Sequence, residues 1–172
     1  MPMVEVAVYR NGEAVFPFGT PVEALGLGPR LRKRLGEGSY LVHLLPGGAL
    51  EAFPLREEKV EVVFRHAGRL EGEARREALK GIWRHGSPRA FLRDEASRGV
   101  WEAILAEAEK AALPLLKKEA AKRFPVAFLV EPEARAEELD LWRDGEEAWW
   151  EGEFVAAARV LVPDYGRPVG VF

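Results

Sequence analysis

The sequence predicts an α+β fold, with antiparallel β-hairpins at both ends of the chain and a central helical segment at about residues 70–123 packed on the sheet. Turn dipeptides and alternating apolar positions dominate both ends, whereas apolar residues recur at helical spacing in the middle. The chain has 172 residues, 48 % of them hydrophobic, which suits one globular domain. We therefore expect a single domain over residues 1–172, with a subdivision into 1–67, 70–124 and 125–172 as the alternative.

The first predicted hairpin turns at Asn11-Gly12, because both residues tolerate the positive φ of a two-residue turn. This turn would place Tyr9 opposite Ala14 and Val8 opposite Val15. The stretch Thr20-Pro21-Val22-Glu23 then combines an N-cap hydroxyl, a proline at the first helical position and a glutamate at the third. That combination predicts a short helix starting at Thr20.

Two further strand regions follow. SYLVHLL, PGG and ALEAFPL predict a second hairpin, and KVEVVFRH at residues 59–66 alternates as a separate strand would.

The order of strand, NGE turn, strand, FxxGTPxEAL cap and SYLVHLL strand resembles the ubiquitin-like β-grasp domains, which include sulfur-carrier proteins and accessory domains of some synthetases and GTPases. The resemblance covers about the first 45 residues. The C-terminal Gly-Gly of the sulfur carriers is absent, because this chain ends in VGVF. The resemblance thus implies a fold and a binding role, and no reaction.

Helical spacing begins after residue 69. Leu70, Ala74, Ala78 and Ile82 favour a helix, and Ser87-Pro88 predicts the start of the most regular one. Between residues 100 and 116 an apolar stripe is expected to face the core, with a kink or a break at Pro114. The stripe consists of Trp101, Ile104, Leu105, Ala108, Ala111, Ala112 and Leu115.

The last third predicts a β-meander. Phe124-Pro125 should end the helix, and the apolar run VAFLV at 126–130 suggests a central strand covered on both faces. Strands at 138–143, 146–151 and 153–162 and a final VGVF strand complete it, with a turn at Asp144-Gly145. A helix over 146–161 is the alternative, since Trp150, Phe154, Ala157, Ala158 and Leu161 also form a helical stripe.

Composition restricts the chemistry. The absence of cysteine excludes disulfides, thiolate metal sites and cysteine nucleophiles. The chain has no glutamine, one asparagine and one threonine, a bias typical of thermophilic proteins, so we expect a thermophilic bacterial source. The first residues lack a signal sequence and no long apolar run occurs, which predicts a cytoplasmic protein without membrane contact. Glycine-rich phosphate loops are absent as well, so no cofactor is expected.

Trp142, Trp149 and Trp150 lie in the acidic stretch WRDGEEAWWEG. With a turn at Asp144-Gly145, Leu139, Leu141, Ala148 and Trp150 share one face and should be core. Trp142 and Trp149 lie on the other face with Asp140 and Glu147. Either the long helix covers these two tryptophans, or they form an exposed aromatic patch with an acidic rim suited to a protein partner.

Charge is uneven along the chain. Residues 1–98 hold 16 Lys/Arg and 13 Asp/Glu, whereas residues 99–172 hold 9 and 15. Either the two parts neutralise each other in the fold, or the basic residues contact phosphates. The candidates for nucleic-acid contact are Arg30, Arg32, Lys33, Arg34, Arg75, Arg76 and Arg84.

Catalytic patterns are weak. His43, His66 and His85 are far apart in sequence, and no metal site is expected from them. Glu131, Glu133, Asp140 and Asp164 would have to converge to hold a divalent cation.

The sequence therefore favours a non-catalytic binding module for a macromolecular partner. A nucleic-acid-binding protein is the first alternative, and a small metal-dependent hydrolase or nuclease is the second. Homodimerisation is left open.

Overall fold

The computed structural model of the protein describes residues 4–10, 13–21, 31, 33–36 and 38–172. The chain forms two compact units, each assembled from separate stretches of sequence. The first unit comprises Met1–Glu58, Phe124–Phe128 and Val160–Phe172, and the second comprises Lys59–Arg123 and Leu129–Arg159. The predicted α+β class is confirmed, whereas the assignment of residues 1–172 to one domain stays a prediction.

The strands are β1 (Val4–Arg10), β2 (Glu13–Pro21), β3 (Gly38–Leu44), β4 (Leu50–Arg69), β5 (Phe128–Asp144), β6 (Glu147–Pro163) and β7 (Gly170–Val171). The helices whose full bounds are described are α1 (Gly72–His85), α2 (Pro88–Leu92) and α3 (Arg98–Arg123), with 3₁₀ turns at Pro46–Gly48 and Glu95–Ser97. Leu31, Lys33 and Arg34 are also helical. Strands β4, β5 and β6 each contribute residues to both units.

In the first unit the strand order is β2-β1-β3-β4, and β7 pairs with the start of β4. Strand β1 runs antiparallel to β2 and parallel to β3. Tyr9 pairs with Ala14 as predicted, but Val8 pairs with Phe16 because the register shifts between Tyr9 and Val8. The antiparallel pairing of the two strands is thus confirmed, whereas the predicted turn residues Asn11 and Gly12 lie outside the described residues.

The predicted helix start at Thr20 is wrong, because Thr20 and Pro21 belong to β2 and pair with Val6 and Glu5. Proline is tolerated at the end of an edge strand, where its missing N–H leaves no ladder bond unmade. The rest of that predicted helix, residues 22–30, lies outside the described residues.

The second hairpin is confirmed, with β3 antiparallel to β4 across the Pro46–Gly48 turn. The buried side chains of this unit include Leu41, Val42, Leu50 and Ala52. Val160 and Val162, from the last stretch of the chain, are buried in the same unit.

Residues 59–66 do not form a separate strand. They continue β4, which is 20 residues long and runs without interruption from Leu50 to Arg69. Three charged residues at 56–58 are compatible with a loop between two strands. None of them is a glycine or a proline, the residues that most often end a strand, and the strand continues through them.

Helices α1, α2 and α3 belong to the second unit. The helix predicted from Leu70 onward is confirmed as α1. Ser87-Pro88 begins only the five-residue α2, and the long helix α3 begins at Arg98. Pro114 does not divide α3, and Arg123 is its last residue. The buried stripe of α3 follows strict four-residue spacing at Val100, Ile104, Ala108, Ala112, Leu116 and Ala120, whereas Leu115 of the predicted stripe is exposed.

Strand is correct for residues 147–161, whereas Glu146 lies in the turn. The strands predicted at 146–151 and 153–162 form one continuous strand, β6. The strand order in this unit is β4-β6-β5. The run at 126–130 therefore does not form a central strand, because β5 begins at Phe128 and is the last strand in the order. Its five residues are all partly exposed.

The core of the second unit lies between the helices and one face of the sheet. Trp150 is 2 % exposed and contacts Phe154 edge to face, which confirms its predicted structural role. Gly68 of β4 allows this packing, because a Cβ there would lie 2.7 Å from the Trp150 ring. Across the described part of the chain, no helix is long and apolar enough to cross a membrane.

Candidate functional site

The most distinctive surface of the second unit is the sheet face opposite the helices, which we call the outer sheet face. Side chains of a strand alternate between the two faces. Leu141, Ala148 and Trp150 point to the helical core, so the residues between and beside them point away from it. The outer sheet face consists of Val63, Arg65, Arg69, Glu138, Asp140, Trp142, Glu147, Trp149, Glu151 and Glu153.

Trp142 and Trp149 both lie on this face. Trp142 is 40 % exposed and Trp149 is half-buried, while α3 packs on the opposite face against the core. The expectation that the long helix covers both tryptophans is therefore wrong. Val63 of β4 adds a third apolar side chain, 63 % exposed.

The hairpin turn lies at Gly145-Glu146, one residue later than predicted. This two-residue connection places Trp142 opposite Trp149, instead of opposite Glu147. The pairing moves by two positions, and because side chains alternate with a period of two, every residue stays on its predicted face. Gly145 has φ +62°, and its carbonyl accepts a hydrogen bond from Arg143 Nε at 2.6 Å.

Two arginines of β4 organise the carboxylates of the outer sheet face. Arg65 lies 3.5 Å from Glu151, 3.6 Å from Glu153 and 4.0 Å from Glu138. Arg69 lies 3.6 Å from Glu147, and its guanidinium stands 5.8 Å from the centre of the Trp149 ring. The second contact is a cation–π interaction, which restrains the indole from one side.

Carboxylates nevertheless outnumber the arginines on this face. Arg65 and Arg69 face Glu138, Asp140, Glu147, Glu151 and Glu153, so the charged side chains of the face itself sum to −3. Arg75 of α1 lies 4.0 Å from Glu147 and offsets part of that charge from outside the face. A partially exposed aromatic pair inside an acidic rim can bury apolar surface and attract cations, but it repels phosphates.

The basic residues proposed for nucleic acid are divided between the two units. Arg30 and Arg32 lie outside the described residues. Lys33 and Arg34 are exposed in the first unit, where the Arg34 guanidinium stands 5.8 Å from the Phe172 ring.

The other three arginines belong to α1 in the second unit. Arg75 lies 4.0 Å from Glu147, and Arg76 lies 2.6 Å from Glu73. The Arg76 guanidinium lowers the pKa of the Glu73 carboxyl through a hydrogen bond and its charge. Arg84 is exposed near the C-terminal end of the helix. Two of these three cations are thus partly neutralised by neighbouring glutamates.

The carboxylates considered for a divalent cation do not converge, since no metal-binding group of three or more His, Asp or Glu side chains occurs among the described residues. The histidines pack against aromatic rings instead. His43 lies 5.5 Å from Phe53, His66 lies 5.5 Å from Trp150, and His85 lies 5.9 Å from Phe91, all between ring centres.

The sequence analysis missed two features of the surface. The first is that β4 places Val63, Arg65 and Arg69 on the same face as the tryptophans. The alternation of β4 is visible in the sequence, but it identifies this face only once the order of the strands is known. Trp83 on α1 is 79 % exposed, and its place on the polar side of the helix was equally visible in the helical spacing.

Comparison with known proteins finds no matching family model, no matching characterised protein and no matching solved structure.

Proposed function

We propose that this chain is a non-catalytic binding module whose outer sheet face receives a basic protein partner. The observation that carries the proposal is the exposure of Trp142 beside Trp149 on a sheet face that no described element of the second unit covers. Aromatic side chains are the residues that most often dominate protein interfaces, and an acidic rim favours a partner with lysine and arginine around its own apolar centre.

Charge favours a protein over nucleic acid at this face. The net charge of −3 opposes a phosphate backbone, whereas it attracts a cationic protein surface. The alternative, nucleic-acid binding through the arginine-rich segments, draws support from Lys33, Arg34 and Arg84, which are exposed. The two functions differ in their response to salt and in the residues they require.

The test is affinity capture from a bacterial extract with four purified variants, followed by titration of each captured protein after purification. Trp142→Ala removes the exposed indole of the outer sheet face. Trp83→Ala is the matched control, since it removes an even more exposed indole from α1. A partner retained by wild type and Trp83→Ala, but bound at least 10-fold more weakly by Trp142→Ala, supports the proposal.

A second pair of variants tests the acidic rim. Glu138→Lys reverses a charge on the outer sheet face, and Glu102→Lys reverses a charge of similar exposure on α3. Only Glu138→Lys should weaken the binding of the captured partner. Equal binding by all four variants would contradict the proposal. Binding of a labelled DNA or RNA duplex that is lost steeply with salt and depends on Arg84 would favour the nucleic-acid alternative.

A further inference from the structure

An open pocket of about 510 Å³ lies within the second unit, between α2, the first turn of α3 and the middle of β5. Its volume falls within the range of small-molecule sites. The residues that matter for its chemistry are Arg89, Leu92, Arg93, Trp101, Leu139 and Leu141, and we call it the arginine pocket.

Hydrogen bonds fix the walls of the arginine pocket. The Ser87 hydroxyl accepts a hydrogen bond from the Ala90 N–H at 3.1 Å and caps α2. The Leu92 carbonyl accepts two further hydrogen bonds, from the Trp101 indole N–H at 3.0 Å and from the Ser97 hydroxyl at 3.2 Å. The short helix and the long helix are thereby held at a defined separation, so the pocket is formed before any ligand arrives.

The lining is apolar on its inner side. Leu141 is 5 % exposed, and the partly buried Leu92, Trp101 and Leu139 leave apolar surface open to the pocket. Such a surface suits an alkyl chain or an aromatic ring.

Two guanidinium groups complete the pocket. Arg89 and Arg93 are four residues apart and therefore project to the same side. Both are exposed, and neither has a carboxylate within ion-pair distance among the described residues. Nine other arginines, by contrast, have a carboxylate within 4.0 Å. They are Arg56, Arg65, Arg69, Arg75, Arg76, Arg98, Arg135, Arg159 and Arg167.

We propose that the arginine pocket binds a monoanionic carboxylate that bears an apolar or aromatic body. A guanidinium matches the geometry of a carboxylate and can bind it through two parallel hydrogen bonds. Asp140 borders the pocket from the edge strand β5, although its side chain belongs to the outer sheet face, and its nearby negative charge offsets part of the +2 of the two arginines. This charge balance suits one negative charge better than two. The same chemistry occurs in free acids and in the C-terminus of a peptide ending in an apolar residue.

The experiment titrates the intact protein and follows the indole N–H signal of Trp101 by NMR, assigned by its loss in Trp101→Phe. The probes are 4-phenylbutyrate, its neutral amide and the dianion phenyl phosphate. We expect a Kd on the order of 1 mM for the carboxylate, as is typical of a fragment of this size. The amide should bind at least 10-fold more weakly, and the dianion should bind more weakly than the carboxylate.

The matched variants separate the pocket arginines from general surface charge. Arg89→Gln/Arg93→Gln should weaken 4-phenylbutyrate at least 10-fold, whereas Arg84→Gln, which removes an exposed arginine outside the pocket, should leave the Kd unchanged. Binding of the amide as tightly as the acid, or an unchanged Kd in the double variant, would overturn the proposal. Tighter binding of phenyl phosphate would overturn the choice of a monoanion.

A second set of titrations, with peptides, identifies the source of the carboxylate. N-acetyl-Ala-Ala-Leu with a free C-terminus is compared with its C-terminal amide. Tighter binding of the peptide acid than of 4-phenylbutyrate supports a peptide end as the ligand, and the opposite order supports a free acid. Trp142→Ala should not change either Kd, so a failure of the arginine pocket and a failure of the outer sheet face are distinguishable.

Discussion

Gly81 shows how one residue can oppose the preference of its own helix. Alanine is favoured over glycine by about 1 kcal/mol inside a helix. A Cβ on Gly81 would, however, overlap the ring of Phe91, which is 1 % exposed. The glycine therefore permits the close packing of α1 and α2.

We predict that Gly81→Ala lowers the free energy of unfolding by about 1–3 kcal/mol, because Phe91 has to move out of a filled core. Chemical denaturation measures the change. Gly99→Ala in α3 is the matched control, since its Cβ would meet only the movable end of the Glu77 side chain. That substitution should be neutral or stabilising, and a loss of equal size in both variants would contradict the steric explanation.

Tyr165 offers a pH-dependent test in the first unit. Its ring packs edge to face on Phe53 at 4.9 Å between centres, and burial raises the pKa of its hydroxyl above the ordinary value of 10.0. The unfolded chain therefore loses this proton at a lower pH than the folded chain does. Between the two pKa values the folded protein binds more protons, so its stability falls as the pH rises above about 10.

Ultraviolet titration of the tyrosine phenolates should show one group ionising later than a free tyrosine, and Tyr165→Phe should remove that group. The same variant should lose less stability between pH 10 and pH 11 than wild type does. An unchanged late phase in Tyr165→Phe would assign the shift to another tyrosine.

At the scale of elements, the hairpin that connects β5 to β6 depends on Gly145. Gly145 has a positive φ of +62°, in the left-handed region that residues with a Cβ rarely adopt. No heavy atom lies within 4 Å of a Cβ built there, so any cost of substitution comes from the backbone.

We predict that Gly145→Ala costs about 1–2 kcal/mol of stability, the price of the left-handed conformation for a residue with a Cβ. Gly145→Asn should cost less, because asparagine tolerates that region. Thermal unfolding of the three proteins measures the order. Equal stability of wild type and Gly145→Ala would show that the turn can change its conformation freely.

The sequence was most informative where one periodicity dominated. Alternation alone separated Trp150 from Trp142 and Trp149, and it remained correct although the turn moved from Asp144-Gly145 to Gly145-Glu146. Helical spacing identified α1 and most of α3. The helix-cap pattern at Thr20 gave a wrong prediction, because it lies at the end of an edge strand. The same polar residues and prolines occur at helix caps and at strand ends.

Features that depend on distant contacts were not predictable. The continuity of β4 follows from its partners on each side, and a local pattern of three charged residues could not reveal it. The arginine pocket depends on β5 lying beside α2, which are separated by 35 residues of sequence. Each of its side chains is ordinary in isolation, so no motif pointed to it.

At the scale of the whole molecule, the charged residues form many exposed ion pairs, including the group around Arg65. Single exposed pairs contribute little, but networks of charged residues and few thermolabile side chains are typical of thermophilic proteins. We predict a Tm above about 65 °C, the upper end of the range for mesophilic domains. Calorimetry in low and in high salt tests this, with a lower Tm expected where ion pairs are screened. A Tm between 45 and 65 °C in both conditions would contradict the expectation.

The division of the chain also has a consequence for its synthesis on the ribosome. The first unit needs Val160–Phe172 and the second needs Leu129–Arg159, so neither can close until these late stretches have been synthesised. Strand β4 ends at Arg69 and its neighbour β6 begins at Glu147, with 77 residues between them. At 5–20 residues per second the emerging β4 waits roughly 4–15 s for that neighbour. During this interval the apolar face of β4 that β6 and the helices later cover is open to molecular chaperones.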